Sequence, residues 1–258
     1  MEILTAVIVL GLAALILGLI LSFASSVFAV KQDEREVKLR EVLPGANCGA
    51  CGFAGCDNFA ESLNKGECEA NLCIPGGKET AEKLGEILGI EISVTPKKAV
   101  LKCKGCINNA TNKFEYTGLA SCTAAASLFG GQKECAFGCL GLGDCVNACD
   151  FSAISIKNGI AQIDEDICGG CGKCANVCPK NIIDIKEYPF KATVVCKNKD
   201  KGAVARKVCK TACIGCSICV KNCEASAISV TDFLAEIDET KCTNCGVCIE
   251  KCPQKCIK

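Results

Sequence analysis

From Ile3 to Val30 the chain carries no charged side chain. Wound as a helix, this run would extend about 42 Å at 1.5 Å per residue, longer than the ~30 Å hydrocarbon layer of a bilayer. It predicts one tilted membrane-spanning helix over residues 1–30. A cleaved signal peptide fits less well, because there is no basic leader, the apolar run is too long and no cleavage site is evident. Only Glu2 precedes the run, whereas Lys31, Arg35, Lys38 and Arg40 follow it. The positive-inside rule therefore places the carboxyl side in the cytoplasm. Ala14, Gly18, Ser22 and Ser26 recur every four residues and share one face, where small side chains let another membrane helix approach. The plainer reading is a lipid-facing helix in which small residues fall at that spacing by chance.

The pattern changes abruptly after Val30. Residues 31–41 form a charged stretch that reads as a solvated stalk. Asp57 to Leu63 reads as a short helix. Lys78 to Leu88 reads as an amphipathic one, with Ala81, Leu84, Ile87 and Leu88 on its apolar side. Further on, apolar residues alternate only over short stretches, Ala153–Ile156 and Ile160–Ile163, which predicts a small β-hairpin. The fold class expected is α+β.

Cysteine makes up 27 of the 258 residues, and histidine is absent. That much cysteine indicates either a disulfide scaffold or a metal protein. The lack of histidine excludes Cys/His zinc fingers, Rieske centres, His-ligated haem and His-based triads. An odd cysteine count argues against complete disulfide pairing, and a cytoplasmic placement favours reduced thiols. The 29 basic and 29 acidic residues balance, and no basic block suggests nucleic acid. Bound clusters would change the balance, since four thiolates around an oxidised cube leave about −2 per site.

The spacing of the cysteines decides between the two classes. Cys168-x2-Cys171-x2-Cys174-x3-Cys178-Pro179 and Cys242-x2-Cys245-x2-Cys248-x3-Cys252-Pro253 match the run that binds [4Fe–4S] cubes in bacterial ferredoxins. There three thiolates wrap one cube and the fourth reaches its neighbour. Zinc has no use for that pattern. Upstream, Cys48, Cys51 and Cys56 lie within nine residues, interleaved with glycines that let the backbone bend closely around a cube. A fourth ligand comes from Cys68 or Cys73. Cys73 is preferred because Ile74-Pro75-Gly76-Gly77 fixes a turn beside it.

An internal repeat runs at an offset of 74 residues. It pairs Cys135, Cys139, Cys145 and Cys149 with Cys209, Cys213, Cys219 and Cys223, Ala153-Ile154-Ser155 with Ala227-Ile228-Ser229, Asp164 with Asp238, and Cys122 with Cys196. Each copy reads as a module for two cubes. The second copy is complete: Cys213, Cys216 and Cys219 with Cys252 for one cube, and Cys242, Cys245 and Cys248 with Cys223 for the other. In the first copy Leu142 stands where Cys216 has its counterpart. The expected sets there are Cys135, Cys139 and Cys145 with Cys178, and Cys168, Cys171 and Cys174 with Cys149, Cys135 filling the gap. This gives about five [4Fe–4S] clusters. Cys103, Cys106, Cys122, Cys196 and Cys209 leave a sixth open, and Cys68 and Cys256 read as small buried hydrophobes. The domains expected are 1–30, the membrane helix; 31–41, the stalk; 42–95, a small helical cluster domain; and 96–195 and 196–258, two tandem ferredoxin modules.

The apolar helix, then Asn47-Cys48-Gly49-Ala50-Cys51-Gly52-Phe53-Ala54-Gly55-Cys56, then Cys73-Ile74-Pro75-Gly76-Gly77, then ferredoxin runs resemble, in that order, the B subunit of the Rnf electron-transport complex. The resemblance implies an electron-carrying subunit of an ion-translocating ferredoxin:NAD oxidoreductase. Soluble ferredoxin would be the donor, membrane and flavin subunits the partners, and the cytoplasmic (inner) membrane the location, with lipid around the helix. The alternatives are a polyferredoxin subunit of another membrane oxidoreductase, a redox sensor or a structural zinc protein. No GxGxxG fingerprint, P-loop or flavin-attachment motif is visible, so NAD and flavin are expected to bind elsewhere in the complex.

Overall fold

The computed structural model of the protein describes residues 11–12, 14–23, 33–92 and 95–258. Residues 14–23 are helical, and Leu15, Ile16, Leu19 and Phe23 on that stretch are exposed. Among the described residues no helix is long and apolar enough to cross a membrane. Ala14, Gly18 and Ser22 lie on the helical stretch; Ser26 and the ends of the predicted span lie outside the described residues.

The first folded unit begins with α1 (Glu34–Val42), whose N-cap Asp33 accepts the Arg35 N–H at 2.9 Å, the usual way an orphan helix donor is satisfied. This is most of the stretch read as a stalk; most of its residues are exposed, and it docks on the first unit through Leu39. Leu39 lies inside a mostly charged helix, and Leu43 is its C-cap. Both are buried, against Phe59, Leu63 and Leu84. Helix α2 (Cys56–Lys65) stops at Gly66, whose φ of +71° suits a left-handed cap. Helix α3 (Gly77–Leu88) buries Ala81 and Leu84 as its pattern predicts, with Ile87 and Leu88 at the edge of the same core.

Strand β1 (Lys97–Leu101) opens the first ferredoxin module. Helices α4 (Cys122–Ser127) and α5 (Asp144–Asn147), the hairpin β2 (Ile154–Lys157) and β3 (Ile160–Ile163), α6 (Lys173–Asn176) and β4 (Ile183–Glu187) complete it. The module closes on itself, since β1 and β4 pair antiparallel from Lys97↔Glu187 to Leu101↔Ile183. The hairpin turn is Asn158-Gly159, both at positive φ, as a two-residue type I′ loop requires.

The second module carries α7 (Gly202–Val208), α8 (Ile218–Lys221), the hairpin β5 (Ile228–Thr231) and β6 (Leu234–Ile237), and α9 (Val247–Lys251). Its closing pair is reduced to one bridge, Val194↔Ile257, so the module starts a few residues before 196. The duplicated aspartates share a role: Asp164 Oδ1 accepts the Asp166 N–H and Asp238 Oδ1 the Thr240 N–H, shaping the loops that lead into Cys168 and Cys242.

The two modules differ in one connection. The Cys139 N–H donates to Cys103 Sγ across 36 residues, and the Cys213 N–H donates to Cys196 Sγ across 17. The Gly105 N–H bonds the Cys103 sulfur as the Asn198 N–H bonds that of Cys196. Cys103 is thus the counterpart of Cys196 in space, although the 74-residue offset pairs Cys196 with Cys122. The first copy carries an insertion that breaks the offset, and Cys122 sits within it.

Candidate metal centres

Each thiol group is built from loops that also aim N–H donors at sulfur or at its neighbours. In the first unit, the Cys56 N–H bonds Asn47 Oδ1 at 2.8 Å, which folds the loop from Asn47 to Cys56 back on itself. Burial, then the charges of Cys56, Cys51 and Cys48, push the Cys73 thiol up. Cys73 therefore lies within electrostatic range of all three. Cys68 responds to burial and to Cys51 alone among the cysteines.

In the first module, Cys174 is pushed up to about 11 by burial and then by Cys168, Cys171 and Cys149. This is the crossed set the ferredoxin run predicts. Ala99 N–H points at Cys168 Sγ at 3.4 Å. For the other set the structure departs from expectation. Burial, then Cys139, Cys122, Cys174 and Cys178, drive Cys145 up to about 12. Cys122, Cys139, Cys145 and Cys178 line one small pocket. Cys122, carried in by the inserted connection, thus occupies the gap at Leu142. Cys135 does not reach it, and lines a different cavity with Cys103, Cys196 and Cys209.

The clamp that holds Cys122 there is Asp144, next to Cys145 in sequence. Its carboxylate accepts the N–H groups of Cys122 and Thr123, both at 2.9 Å, and the hydroxyls of Thr123 and Ser121 at 3.0 and 3.2 Å. Partial burial alone would raise the Asp144 carboxyl. The bonds from Thr123, Cys122 and Ser121 outweigh it and hold the group below the ordinary carboxylate range.

In the second module, Cys213, Cys216, Cys219 and Cys252 line one small pocket. Cys248 is pushed up by burial and then by Cys242, Cys245 and Cys223, again the crossed set. Cys256, buried beside Cys252 at 3.7 Å, takes the place that Ile182 has in the first module. Each lies three residues after its run's proline, and each carbonyl accepts the equivalent strand N–H, from Val195 and Lys102 respectively. Cys256 donates to Cys213 and lowers that thiol.

Among the described residues no three Cys, Asp or Glu side chains converge on the point a single metal ion would occupy. The thiols stand apart on the walls of voids, and N–H groups point at Cys168, Cys213, Cys223 and Cys242 at 3.4–3.5 Å. Those features fit a cube whose corners are ligated separately and whose sulfurs are hydrogen-bonded. Buried neutral thiols must lose protons when iron binds.

The spacing alone indicates the ferredoxin sets. It does not indicate where Cys122 and Cys103 lie. For Cys103 a signal existed: Lys98-Ala99-x3-Cys103-Lys104 matches Lys191-Ala192-x3-Cys196-Lys197, at an offset of 93 that the 74-residue period hides.

Residues 43–75 match the Fe-S cluster family, and residues 134–182 and 212–256 match the 4Fe-4S dicluster domain family. The chain is 40% identical over 243 residues to the B subunit of an ion-translocating oxidoreductase complex of Methanosarcina acetivorans, covering 93% of this chain and 92% of that one. It is 42% identical to the B subunit of the Na(+)-translocating ferredoxin:NAD(+) oxidoreductase complex of Acetobacterium woodii, covering 96% of this chain and 75% of the relative. It is 39% identical to the proton-translocating counterpart of Clostridium ljungdahlii, covering 90% and 83%.

Proposed function

Because this chain belongs to the family of B subunits of ion-translocating oxidoreductase (Rnf) complexes, we propose that it takes electrons from reduced ferredoxin and hands them to membrane and flavin subunits. It is an iron–sulfur electron-transfer subunit of such a complex. The residue-level assignment follows the thiol groups: Cys48, Cys51, Cys56 and Cys73; Cys149, Cys168, Cys171 and Cys174; Cys122, Cys139, Cys145 and Cys178; Cys213, Cys216, Cys219 and Cys252; and Cys223, Cys242, Cys245 and Cys248. A bound cube supplies one-electron storage at each set.

One observation carries the direction of flow: the sets form a row. Cys48 of the first unit lies close enough to Cys171 to raise its thiol, after burial. Ile74 packs over Gly170 of the same loop. The row runs on through the first module into the second, where Cys216 and Cys245 are exposed. The exposed end is the entry for a soluble donor. The opposite end follows the N-terminal helix in sequence and is the exit toward the membrane.

Residues 1–30 anchor the chain as a single span, with the clusters on the cytoplasmic side. The support is the uncharged run, the basic residues after it and the outward-facing Leu and Ile side chains of residues 14–23. Among the described residues a Cβ on Gly18 would meet nothing within 4 Å, which supports Ala14, Gly18 and Ser22 as a face that receives a helix of a membrane partner.

The test is anaerobic mixing of the full-length, cluster-loaded chain with reduced ferredoxin, followed by rapid loss of the charge-transfer absorption of oxidised cubes. Reduction by ferredoxin but not by NADH is expected. A chain that NADH reduces directly, or that carries zinc in place of iron and sulfide, would refute the assignment.

A further inference from the structure

Assigning Cys122 to the Leu142 gap frees Cys135, and the structure puts it to other use. Cys103, Cys135, Cys196 and Cys209 line a single small pocket between the two ferredoxin modules. Its size matches that of the pockets lined by Cys122, Cys139, Cys145 and Cys178 and by Cys213, Cys216, Cys219 and Cys252. Each module supplies two thiols, and they are equivalent pairs: Cys103 with Cys196 by strand register, Cys135 with Cys209 by the sequence repeat. Both Cys103 Sγ and Cys209 Sγ lie 3.5 Å from the point a Gly105 Cβ would occupy. Sulfurs from the two modules are thus no more than twice that distance apart.

Three of the four sulfurs have a donor aimed at them, and the fourth, that of Cys209, has a hydroxyl beside it. Cys103 accepts from the Gly105 and Cys139 N–H groups, and Cys196 from those of Asn198 and Cys213, at 3.3–3.4 Å. The buried Asn198 reaches across the interface, its Nδ2 3.4 Å from Cys135 Sγ, and Thr211 Oγ1 is 3.4 Å from Cys209 Sγ. The wall also holds an uncompensated cation. Lys133 is 5% exposed and donates to the carbonyls of Gly105 and Gly159 at 2.7 and 3.1 Å. It makes no ion pair among the described residues. A buried ammonium without an anion is costly, and four thiolates on an oxidised cube carry about two negative charges.

We propose that Cys103, Cys135, Cys196 and Cys209 bind a sixth [4Fe–4S] cluster that joins the two ferredoxin modules electrically. It stands between the sets begun by Cys139 and Cys213. Each of those cysteines donates its own N–H to a ligand sulfur of the junction. One electron enters from one neighbour and leaves to the other, with no bond made and no proton moved. The inference rests on the cluster assignments above, and the experiment separates the two.

Iron and acid-labile sulfide are counted in the full-length chain and in Cys122→Ala, Cys135→Ala and the double variant, all assembled anaerobically. Native mass spectrometry of the wild type counts its cubes directly, so the proposal is tested even where a variant fails to fold. The wild type is expected to hold six cubes. Each single variant should lose about four iron and four sulfide, and the double variant about eight, because the two cysteines serve different cubes. Five cubes in the wild type, no loss in Cys135→Ala, a loss of only about four in the double variant, or one zinc bound per chain each overturns the junction cluster. A wild type without iron would instead sink the wider assignment.

Discussion

Asp144 lies beside a proposed ligand without being one, so its removal probes how the first module holds its incomplete cluster. In Asp144→Ala the N–H groups of Cys122 and Thr123 lose a carboxylate that now accepts them at 2.9 Å. The site is partly solvated, so a net contribution of about 1 to 1.5 kcal/mol for each bond is appropriate, and the two together give roughly 2 to 3 kcal/mol. At 1.4 kcal/mol per decade this shifts the docked-to-undocked equilibrium of the inserted segment by roughly 30- to 140-fold. The assay is the time course of iron capture by an excess of chelator, with the reduced protein's EPR spectrum followed in parallel. About four iron per chain should leave roughly 30- to 140-fold faster than in the wild type while the rest leave at the original rate. Asp144→Asn keeps one acceptor oxygen and should fall between. The clamp also has a pH signature. A carboxyl held below its ordinary value adds stability above that value, and the contribution vanishes as pH falls through the lowered one. Acid loss of this cluster should therefore begin only below the ordinary carboxylate range, and earlier in the Asn variant. Uniformly faster loss of every cluster, or no change, would refute the clamp.

Without iron, the buried thiols should make stability fall with rising pH. Cys145, pushed up to about 12, and Cys174, Cys196 and Cys219, pushed up to about 11 by burial first, stay neutral in the fold. They ionise near 8.5 once unfolded. The unfolded chain then binds fewer protons above about pH 8.5, so the thermal midpoint of cluster-free protein should drop from there upward, and cluster-loaded protein should not follow it. The second hairpin turns through Asp232 and Phe233 at φ +49° and +59°, where the first uses Asn158-Gly159. A left-handed conformation costs a non-glycine residue about 1 to 2 kcal/mol. Phe233→Gly, after its own entropy cost, should slow thermal inactivation by an amount corresponding to about 1 kcal/mol, and an unchanged rate would show that the turn is not strained.

Spacing-based chemistry was the most legible part of this chain. Three thiols at x2 intervals with a fourth before proline leave little choice of cofactor, and the structure brings Cys149 to Cys168, Cys171 and Cys174 as that run predicts. The hairpins were equally legible, because alternation and Asn158-Gly159 are local signals. Two things were not. Leu39 lies in a run of charges, and its burial comes from the partners Phe59 and Leu84, which are distant in sequence. Cys135 lies four residues before Cys139, and sequence nearness suggested a shared cluster. Its sulfur instead lies across a module boundary, within reach of Asn198 Nδ2. Contacts made by folding one repeat against another carry no periodic trace in either.

The junction also bears on why two modules share one chain. A single copy places one thiol after its first strand and another four residues before its first ligand run: Cys103 and Cys135, or Cys196 and Cys209. Two thiols cannot hold four corners of a cube, so each module alone would carry half a site on an exposed edge. The pairing of Ala110 with Cys209, and the bonds from Lys210 N–H to Asn109 O at 2.8 Å and from Thr111 N–H to Val208 O at 3.2 Å, lock the edges together so that the halves meet. Binding energy at such a site is also docking energy, because metal affinity and the ordering of its ligands are one free-energy change. The same contact that completes the path for electrons therefore fixes the two modules against each other. Loss of the junction cluster should loosen the interface as well as break the row.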